Sequence, residues 1–583
     1  MMLKKEFVQF FREIKPSSWL LIIIGSLSWS LTMVKSGLIN SYGMGFWGPN
    51  GHDGVWHIAL AESLAKGSWQ MPIFAGESIK NYHIGFDVIL AILHKVTFIP
   101  TGVLYFQILP VIFALLIGIF AYKLVFAWKK TALISFWATF FVYFGGSWGW
   151  IVTLFKDGKI GGESMFWSQQ SISTLVNPPF VLSLLIIFVG LYFLIKGQES
   201  SRSQSTTYYL LSTFLFGILI QIKVYAGILI LAALFVAGVW RMFEQKGISV
   251  LKVFCGAAIV SILLFFPFSE DVGKTIIFKP FWFLETMMSF PDRVGWMRFG
   301  EAMVNYKLAG NWVKSIPAYL IALFIFWFGN LGTRIIKDIL VIKRLRELRG
   351  LDFVEAFIYP VIFLGFIIPM FFIQSGTPWN TIQFMYYSLM FSGILAGVTL
   401  GEFLEKAKLN TTMIRIIVVG IILLTVPITY GTLKYHYLPS RPPAKISKEE
   451  LEAIYFLKSQ PDGVVLTLPF DKEAAKKAES DPPRQLYLYE STAYVSAFSG
   501  KPTYLEDEVN LEITGYKWRE RRELFEEFLI TNSVEKARLF LEEADISYIY
   551  WVKDLYGSVR ENQQLVKKIY ENEKIQIFRF DRS

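Results

Sequence analysis

Hydrophobic residues occur in long uninterrupted runs through most of this chain and in shorter runs near its C-terminal end. The long runs have roughly 16–25 residues, which is the length of helix that crosses about 30 Å of hydrocarbon. They predict a polytopic α-helical membrane protein with about 11–13 transmembrane helices. The composition changes near Lys434, and Pro442 and Pro443 mark a linker. We therefore expect a membrane domain over residues 1–433 and a second domain over residues 434–583.

The C-terminal region has the pattern of a soluble α/β domain. Ser447 and Glu450 form an S-x-x-E capping box that begins a helix. Further helices and strands are predicted from periodicity and from β-branched or aromatic content: helices at Trp518–Leu529 and Val534–Ala544, strands at Val464–Leu468, Ile546–Val552 and Ile575–Phe580. No phosphate-binding loop, catalytic-triad signature or metal motif occurs in this region, so an accessory role is favoured over a second active site.

The basic residues predict which loops face the cytoplasm, because cytoplasmic loops carry most of the Lys and Arg of membrane proteins. Four basic residues precede the first hydrophobic run, and no small-residue cleavage site follows it. We therefore expect a retained first helix with a cytoplasmic N-terminus. The basic cluster Arg334–Arg349 is expected in the cytoplasm as well. The C-terminal domain and three loops are then extracytoplasmic, the loops lying at about 35–83, 156–178 and 269–315.

Two shorter segments of the first external region have an ambiguous pattern. Ile84–Ile99 is either a thin span or a helix in the outer interface. Lys129 and Lys130 follow the next span, and they face the cytoplasm only if Ile84–Ile99 stays outside, which favours the second interpretation. Val55–Lys66 has apolar residues on one side, a pattern typical of a helix that lies in the membrane interface.

The charge and cysteine content exclude several classes of protein. The net charge of +10 follows from basic cytoplasmic loops, and no soluble basic face of the kind that binds nucleic acid occurs. The only cysteine, Cys255, lies in an apolar run, which excludes an intrachain disulfide and a cysteine metal cluster. The chain is therefore expected in the cell (plasma) membrane, with membrane lipid as a partner and without nucleic acid.

The stretch Gly51–His57, which reads G-H-D-G-V-W-H, is polar for a segment that closely follows the first span. Ionisable residues near the membrane are costly to place, and they are usually functional. Asp53 is the candidate general base, and His57 is a candidate substrate ligand. These motifs make no cofactor certain, and a divalent metal held by Asp53 and His57 stays an open alternative, although the two residues lack fixed ligand spacing. Anchoring of the loop to lipid headgroups is a structural alternative.

Other polar residues lie at predicted external ends of spans. Lys80, in S-I-K-N-Y-H, and Lys223, in Q-I-K-V-Y-A, are candidates for binding a phosphate. The alternatives are a snorkelling side chain for Lys80 and a local structural partner for Lys223. Other side chains at these ends are suited to binding a sugar, either by hydrogen bonds or by an aromatic ring: Tyr82, Gln170, Asn177, Tyr225, Trp379, Asn380 and Gln383. The structural alternatives for them are N-capping, loop packing and the interfacial aromatic belt.

This layout resembles the GT-C superfamily of membrane glycosyltransferases, which includes protein O-mannosyltransferases and aminoarabinose transferases. The shared features are a first helix, a long external loop with an acid, a basic aromatic stretch, many spans and a C-terminal domain. Asp53 matches the family's first-loop acid, and Lys80 is similar in placement to a phosphate-binding lysine. The D-E pair of the O-mannosyltransferases is absent because Gly54 follows Asp53, and the W-W-D motif of oligosaccharyltransferases is absent too.

The resemblance implies a reaction as well as a fold. It implies inverting transfer of a sugar from a polyprenyl-phosphate donor to an acceptor glycan, lipid or protein on the extracytoplasmic face. Two non-enzymatic alternatives are a transporter or lipid flippase and an envelope-polymer assembly protein. Transporters often contain inverted repeats, whereas no clear repeat is found here. The polar residues also gather at external ends rather than mid-span, and both observations favour the transferase.

Overall fold

The computed structural model describes residues 10–270, 276–346, 351–556 and 565–581. The chain forms two compact units, and each combines segments that are distant in sequence. The first unit comprises Met1–Thr32, Pro110–Pro267 and Gly273–Leu438. The second unit comprises Met33–Leu109, Phe268–Val272 and Pro439–Ser583.

The first unit is built from apolar helices. Its long helices are Pro16–Ser30, Leu109–Lys129, Ala132–Phe144, Pro178–Glu199, Arg202–Ile222, Val224–Phe243, Ser249–Phe265, Trp312–Leu331, Phe353–Phe371, Gln383–Lys406 and Thr411–Thr425. In the described part of the chain, nine helices are long and apolar enough to cross a membrane, or up to ten if a bent helix pair counts as one span. That pair is Ala132–Phe144 with Gly149–Asp157. The predicted polytopic helical class with a C-terminal α/β domain is confirmed.

The predicted third external loop contains regular structure. Strand Ile276–Phe278 pairs antiparallel with Phe372–Gln374. Helices Trp282–Ser289 and Met297–Leu308 follow it. Phe283 and Met287 of the first of these helices are fully buried in a hydrophobic cluster. The apolar side chains in this loop therefore pack into a core that they share with the helices Trp312–Leu331, Phe353–Phe371 and Gln383–Lys406.

Three glycines allow close packing of two helices in the first unit. Gly393, Gly397 and Gly401 recur at every fourth position of Gln383–Lys406, so they lie on one face of the helix. A β-carbon at Gly397 would lie 2.3 Å from the backbone N and Cα atoms of Ala138, in the helix Ala132–Phe144. Because backbone atoms cannot move aside as a side chain can, only a residue without a side chain fits here.

Gly397→Ala is expected to destabilise the protein by about 1–3 kcal/mol, because the added methyl group overpacks a helix contact. The measurement is thermal unfolding of the purified full-length protein in detergent. Gly420→Ala is the matched control, since a β-carbon at Gly420 would meet no atom within 4 Å and alanine favours the helix. Equal stability of the two variants would contradict the close approach.

Part of the predicted basic cluster Arg334–Arg349 is buried in the helical unit, and its expected cytoplasmic location stays a prediction. Arg334 and Lys337 lie within the helical segment Trp312–Arg344, which is one of the candidate spans. Only 1% of the Arg334 surface is exposed. Its guanidinium donates to the carbonyls of Leu331, at 3.0 Å, and Asn330, at 2.6 Å. Backbone carbonyls therefore stabilise the buried Arg334 cation inside the helical unit, and Arg349 of the predicted cluster lies outside the described residues.

The second unit contains two four-stranded sheets. The strands of the first sheet lie in the order Ile39–Asn40, Gly43–Phe46, Ala444–Ile446 and Arg484–Gln485, and only the last pairing is parallel. The strands of the second lie in the order Val464–Leu466, Ile546–Val552, Ile575–Phe580 and Val566–Glu571, and only the first pairing is parallel. The first sheet joins the segment that follows the first helix to the C-terminal region.

The helices of the second unit confirm several local predictions. The capping box of Ser447 and Glu450 is formed, and it begins the helix Lys448–Ser459. The other helices are Asp53–Ala65, Gly85–Thr97, Lys472–Ala478, Tyr494–Ser499, Glu508–Thr514, Trp518–Ile530 and Val534–Glu543. The interfacial interpretation of Val55–Lys66 is wrong, because every residue from Val55 to Glu62 is buried and the helix is a core element.

Candidate functional site

Asp53 is the first residue of the helix Asp53–Ala65, and a short turn, Gly48–Gly51, precedes it. Its side chain is exposed, whereas the residues that follow it in the helix are buried. A negative charge in the first turn of a helix is favourable, because the free backbone N–H groups there carry partial positive charge. The carboxylate is therefore held on a buried helix and remains open to an incoming group.

The residue after Asp53 is restricted to glycine by its surroundings. A β-carbon at Gly54 would lie 2.7 Å from the ring of Phe106 and 3.2 Å from the ring of Tyr105. A second acid at this position would therefore displace two buried aromatic rings. This packing explains physically why the sequence has D-G here rather than a D-E pair.

His52 attaches the turn before Asp53 to the C-terminal region of the same unit. Its Nδ1 atom lies 3.2 Å from the carbonyl oxygen of Ser491 and also pairs with the Ser491 hydroxyl. Its ring packs edge-on against Tyr489, with 4.6 Å between ring centroids. Burial lowers the pKa of His52, and the negative charge of Asp53 partly offsets this. Neutral His52 is therefore a structural anchor beside the exposed carboxylate.

His57 forms a buried pair with Asp87. Its Nδ1 atom lies 2.7 Å from Oδ1 of Asp87, and the two side chains are 3% and 0% exposed. The imidazole ring is also packed near Phe86 and Tyr105, with centroid distances of 5.6 and 5.9 Å. A carboxylate that accepts from Nδ1–H fixes the orientation and the tautomer of a histidine. The sequence pattern did not single out Asp87 as the partner of His57.

A second carboxyl group from the C-terminal region lies close enough to Asp53 for their charges to interact. Asp507 is buried, and burial together with the negative charges of Asp53 and Glu490 raises the pKa of Asp507 to about 7. Its Oδ2 atom accepts a hydrogen bond of 2.7 Å from the side-chain amide of Asn510. No sequence motif singled out Asp507, and the run E-D-E at residues 506–508 is the signal that marks it.

The stability of the protein is expected to fall as the pH rises through about 7. Burial raises the pKa of Glu450, Glu506 and Asp507 to about 7 each, above the value of about 4 in an unfolded chain. Between about pH 4 and pH 7 the folded state then binds more protons than the unfolded state. The stability contributed by these groups is therefore greatest at about pH 4 and is lost as the pH rises through about 7.

This pH dependence can be measured as the melting temperature between about pH 5 and pH 8, where a few kcal/mol corresponds to several degrees. Glu506→Gln removes one titrating group, so the slope of its melting temperature against pH is expected to be shallower. Exposed Glu542 in the same unit provides the control, because Glu542→Gln is expected to keep the slope of the unchanged protein. Parallel curves for all three proteins would contradict the assignment.

Lys80 and Tyr82 lie in the same unit as Asp53. The Lys80 ammonium is 3.0 Å from Oε2 of Glu270 and lies over the ring of Tyr516, at 5.1 Å from its centroid. The Lys80 side chain is only 27% exposed. The ring of Tyr82 packs edge-on against Trp56 at 5.3 Å. An anionic ligand would therefore replace an existing carboxylate partner at Lys80.

Three of the predicted phosphate and sugar ligands, Asn177, Lys223 and Tyr225, lie together in the first unit. Lys223 lies in the break between the helices Arg202–Ile222 and Val224–Phe243, and it is 4% exposed. Its ammonium is 3.4 Å from Oδ1 of Asn177 and 5.7 Å from the ring centroid of Tyr225. The Tyr225 hydroxyl donates to Oε1 of Gln374 at 3.2 Å. The fold thus brings Asn177 and Tyr225 to the buried Lys223.

Gln170 has a structural role in this unit. Its backbone N–H donates to Oε1 of Glu163 at 2.9 Å, and its amide oxygen accepts from Arg334. Burial raises the pKa of Glu163 to about 7. Gln170 therefore bridges a buried acid and a buried cation, neither of which was assigned a role from the sequence.

The remaining predicted sugar ligands also lie in the first unit, after the strand Phe372–Gln374. Trp379 is 49% exposed, which leaves a ring face open for stacking. The Asn380 amide donates to the Thr377 hydroxyl at 3.1 Å. Gln383 is the first residue of the helix Gln383–Lys406 and is partly buried. A substrate role for these three residues remains a prediction.

Comparison with known proteins identifies the fold. No family model and no curated protein matches the sequence. The oligosaccharyltransferase of Archaeoglobus fulgidus, crystallised with a tethered acceptor peptide, is 12% identical, with a TM-score of 0.50 over 93% of this chain and 70% of that one. The arabinofuranosyltransferase AftD from Mycobacteria is 11% identical, with a TM-score of 0.53 over 97% of this chain and 40% of that one. The chain has the GT-C fold.

The GT-C fold confirms the resemblance that was found in the sequence. It accounts for the many apolar helices and for the region with sheets that follows them. The protein is therefore a multi-pass membrane protein. Asp53 lies in the predicted first external loop of this GT-C fold, where the resemblance places the family's acid.

A divalent metal was an open alternative for Asp53 and His57. Within the described ranges of this GT-C fold, no group of three or more His, Cys, Asp or Glu residues is arranged to hold a metal ion. Nδ1 of His57 is already paired with Asp87, and that pair is buried while Asp53 is exposed. Asp53 and His57 therefore lack a third such ligand among the described residues, and the chemistry below is derived from the protein groups alone.

Proposed function

We propose that this protein is a membrane glycosyltransferase that moves a sugar from a polyprenyl-phosphate donor to an acceptor on the extracytoplasmic face. The observation that carries the proposal is the fold, which this chain shares over nearly its whole length with two sugar-transferring enzymes. The exposed carboxylate of Asp53 on a buried helix supplies a group suited to the chemistry.

The proposed reaction is a single displacement with inversion at the anomeric carbon. The acceptor hydroxyl oxygen forms a bond to that carbon as the bond from the carbon to the donor phosphate oxygen breaks. Asp53 accepts the hydroxyl proton as general base. The bonding electron pair leaves with the polyprenyl phosphate, so charge develops on the phosphate and is stabilised by a nearby cation.

Two lysines are proposed for the phosphate. Lys80 belongs to the unit that holds Asp53, and its present carboxylate partner, Glu270, is 67% exposed and therefore free to leave. Lys223 is a buried cation beside Asn177 and Tyr225, two further residues proposed for substrate contact. Tyr82, Tyr225, Trp379, Asn380 and Gln383 are proposed sugar or acceptor contacts, together with His57, Gln170 and Asn177.

The test is mass spectrometry of lipids that co-purify with the full-length protein, followed by a transfer assay with the donor so identified. We expect a polyprenyl-phosphate sugar and, with an acceptor, release of the free polyprenyl phosphate. Movement of the intact lipid-linked sugar between leaflets, without cleavage of the sugar–phosphate bond, would support a flippase and would contradict the proposal.

A further inference from the structure

Two apolar grooves flank the helix Phe353–Phe371 in the first unit. The first groove, of about 680 Å³, lies against the helix Trp312–Leu331. The second, of about 610 Å³, lies against the helix Val224–Phe243. The grooves share three lining residues, Leu351 just before the central helix and Tyr359 and Phe363 toward its middle, and this shared lining is the common mouth of the two grooves.

The size and lining of the grooves indicate hydrocarbon chains as occupants. Each volume lies within the range of about 300–1,000 Å³ that is usual for small-molecule sites. Aliphatic and aromatic side chains form nearly all of the lining of both grooves, for example Leu323 and Phe366 in the first and Val239 and Leu364 in the second. Two separate grooves with a common mouth match a lipid with two chains better than a single-chain lipid.

The polar groups of the first groove are cationic on balance. Lys337 and Arg344 line it together with one acid, Asp338. The helix that carries them, Lys337–Arg346, has four basic residues and one acidic residue. Basic pockets between membrane helices are typical binding sites for anionic lipid headgroups.

The mouth of the grooves also contains a polar atom without a protein partner. Among the described residues, the Tyr359 hydroxyl is buried and makes no hydrogen bond. Tyr359 lines both grooves with its side chain, and its hydroxyl is buried beside them. A buried hydroxyl that lacks a partner costs about 1–3 kcal/mol, and a ligand oxygen would remove this cost.

We propose that these two grooves bind one anionic diacyl phospholipid. One acyl chain occupies each groove, and the phosphate lies at their common mouth. Arg344 and Lys337 supply positive charge to the phosphate, and the Tyr359 hydroxyl donates a hydrogen bond to the headgroup or ester region. This site is independent of the proposed transferase function.

The lipid site is distinct from the proposed sugar site. The helix Phe353–Phe371 has 19 residues, which corresponds to about 28 Å at 1.5 Å per residue. The shared lining residues Tyr359 and Phe363 lie toward the middle of this helix, whereas its last residue, Phe371, runs directly into the strand that precedes Trp379. From Tyr359 to Phe371 the helix rises about 18 Å, so the two sites lie at different levels along it.

The test is native mass spectrometry of the full-length protein, incubated with an equal mixture of phosphatidylglycerol and phosphatidylcholine. We expect one phosphatidylglycerol to be retained at least fivefold more than phosphatidylcholine. Arg344 pairs with Glu355 at 3.1 Å, so the double variant Arg344→Gln/Glu355→Gln removes the cation without leaving a buried acid unpaired. Its retention of phosphatidylglycerol is expected to fall about tenfold.

Lys343→Gln is the matched control, because Lys343 is exposed on the same helix and does not line the groove. It removes one positive charge and is expected to retain the lipid normally. Two conservative variants test the site if the double variant does not fold: Tyr359→Phe removes only the hydroxyl, and Phe363→Trp narrows both grooves. Both are expected to lower retention at least threefold.

Three results would overturn the proposal. Equal retention of the two phospholipids would mean that the grooves bind bulk lipid without regard to charge. Equal loss in Lys343→Gln would mean that general surface charge attracts the lipid. Displacement of phosphatidylglycerol by a short-chain polyprenyl phosphate would assign the grooves to the sugar donor. Transfer activity is not used as a readout, so failure here is distinguishable from failure of the proposed function.

Discussion

Asp53→Asn is expected to lower kcat at least a hundredfold, because a positioned general base contributes about 10²–10⁴ in rate. Asparagine has almost the same shape as aspartate and is well tolerated at the start of a helix. The exposed position of Asp53 means that no buried contact is lost. Binding of the lipid-linked donor is therefore expected to be retained, and the measurement is transfer of a labelled sugar at saturating donor.

Glu77→Gln provides a matched control for the charge change. Glu77 is also an exposed acid in the predicted first external loop, but it is not assigned to the chemistry. Its transfer rate is expected to stay within about twofold of the unchanged protein, as surface substitutions usually have small effects. If Asp53→Asn kept more than half of the activity, Asp53 would not be the base, whereas loss of donor binding would indicate a substrate contact.

The parts of the fold that follow from local pattern were predictable from the sequence. The strands Ile546–Val552 and Ile575–Phe580 were located to the residue, because β-branched and aromatic residues mark them. The capping box at Ser447 also depends only on residues within one helical turn. Pairing of Gly43–Phe46 with Ala444–Ile446 was not predictable, because the partners are distant in sequence and no periodicity connects them.

The candidate site was only partly predictable, because contacts between segments that are distant in sequence bring its residues together. Lys223 and Asn177 were selected separately as polar residues at helix ends, and the fold brings them to 3.4 Å. Asp507 gained significance only because folding places it near the charge of Asp53. The burial of Arg334 was not predictable, because hydropathy measures composition and not the carbonyl groups that a fold supplies to a cation.

Asp87→Ala is expected to destabilise the protein by about 3–5 kcal/mol, the usual result of removing one partner from a buried pair. The change leaves Nδ1 of His57 without its carboxylate in a fully buried position. It also leaves a cavity beside the aromatic rings that surround His57. The measurement is denaturant or thermal unfolding of the purified full-length protein. Asp87→Asn is expected to cost less, because the amide oxygen can still accept from the imidazole N–H.

The double variant His57→Phe/Asp87→Leu tests whether the pair acts as a unit. Replacing both buried partners with apolar residues removes the unsatisfied polar groups, which often restores stability. The rings of Phe86 and Tyr105 nearby provide an apolar surface for the new side chains. The double variant is therefore expected to be more stable than Asp87→Ala, and a coupling energy above about 1 kcal/mol would identify a direct interaction. Strictly additive losses would instead show that His57 and Asp87 stabilise the unit independently of their 2.7 Å contact.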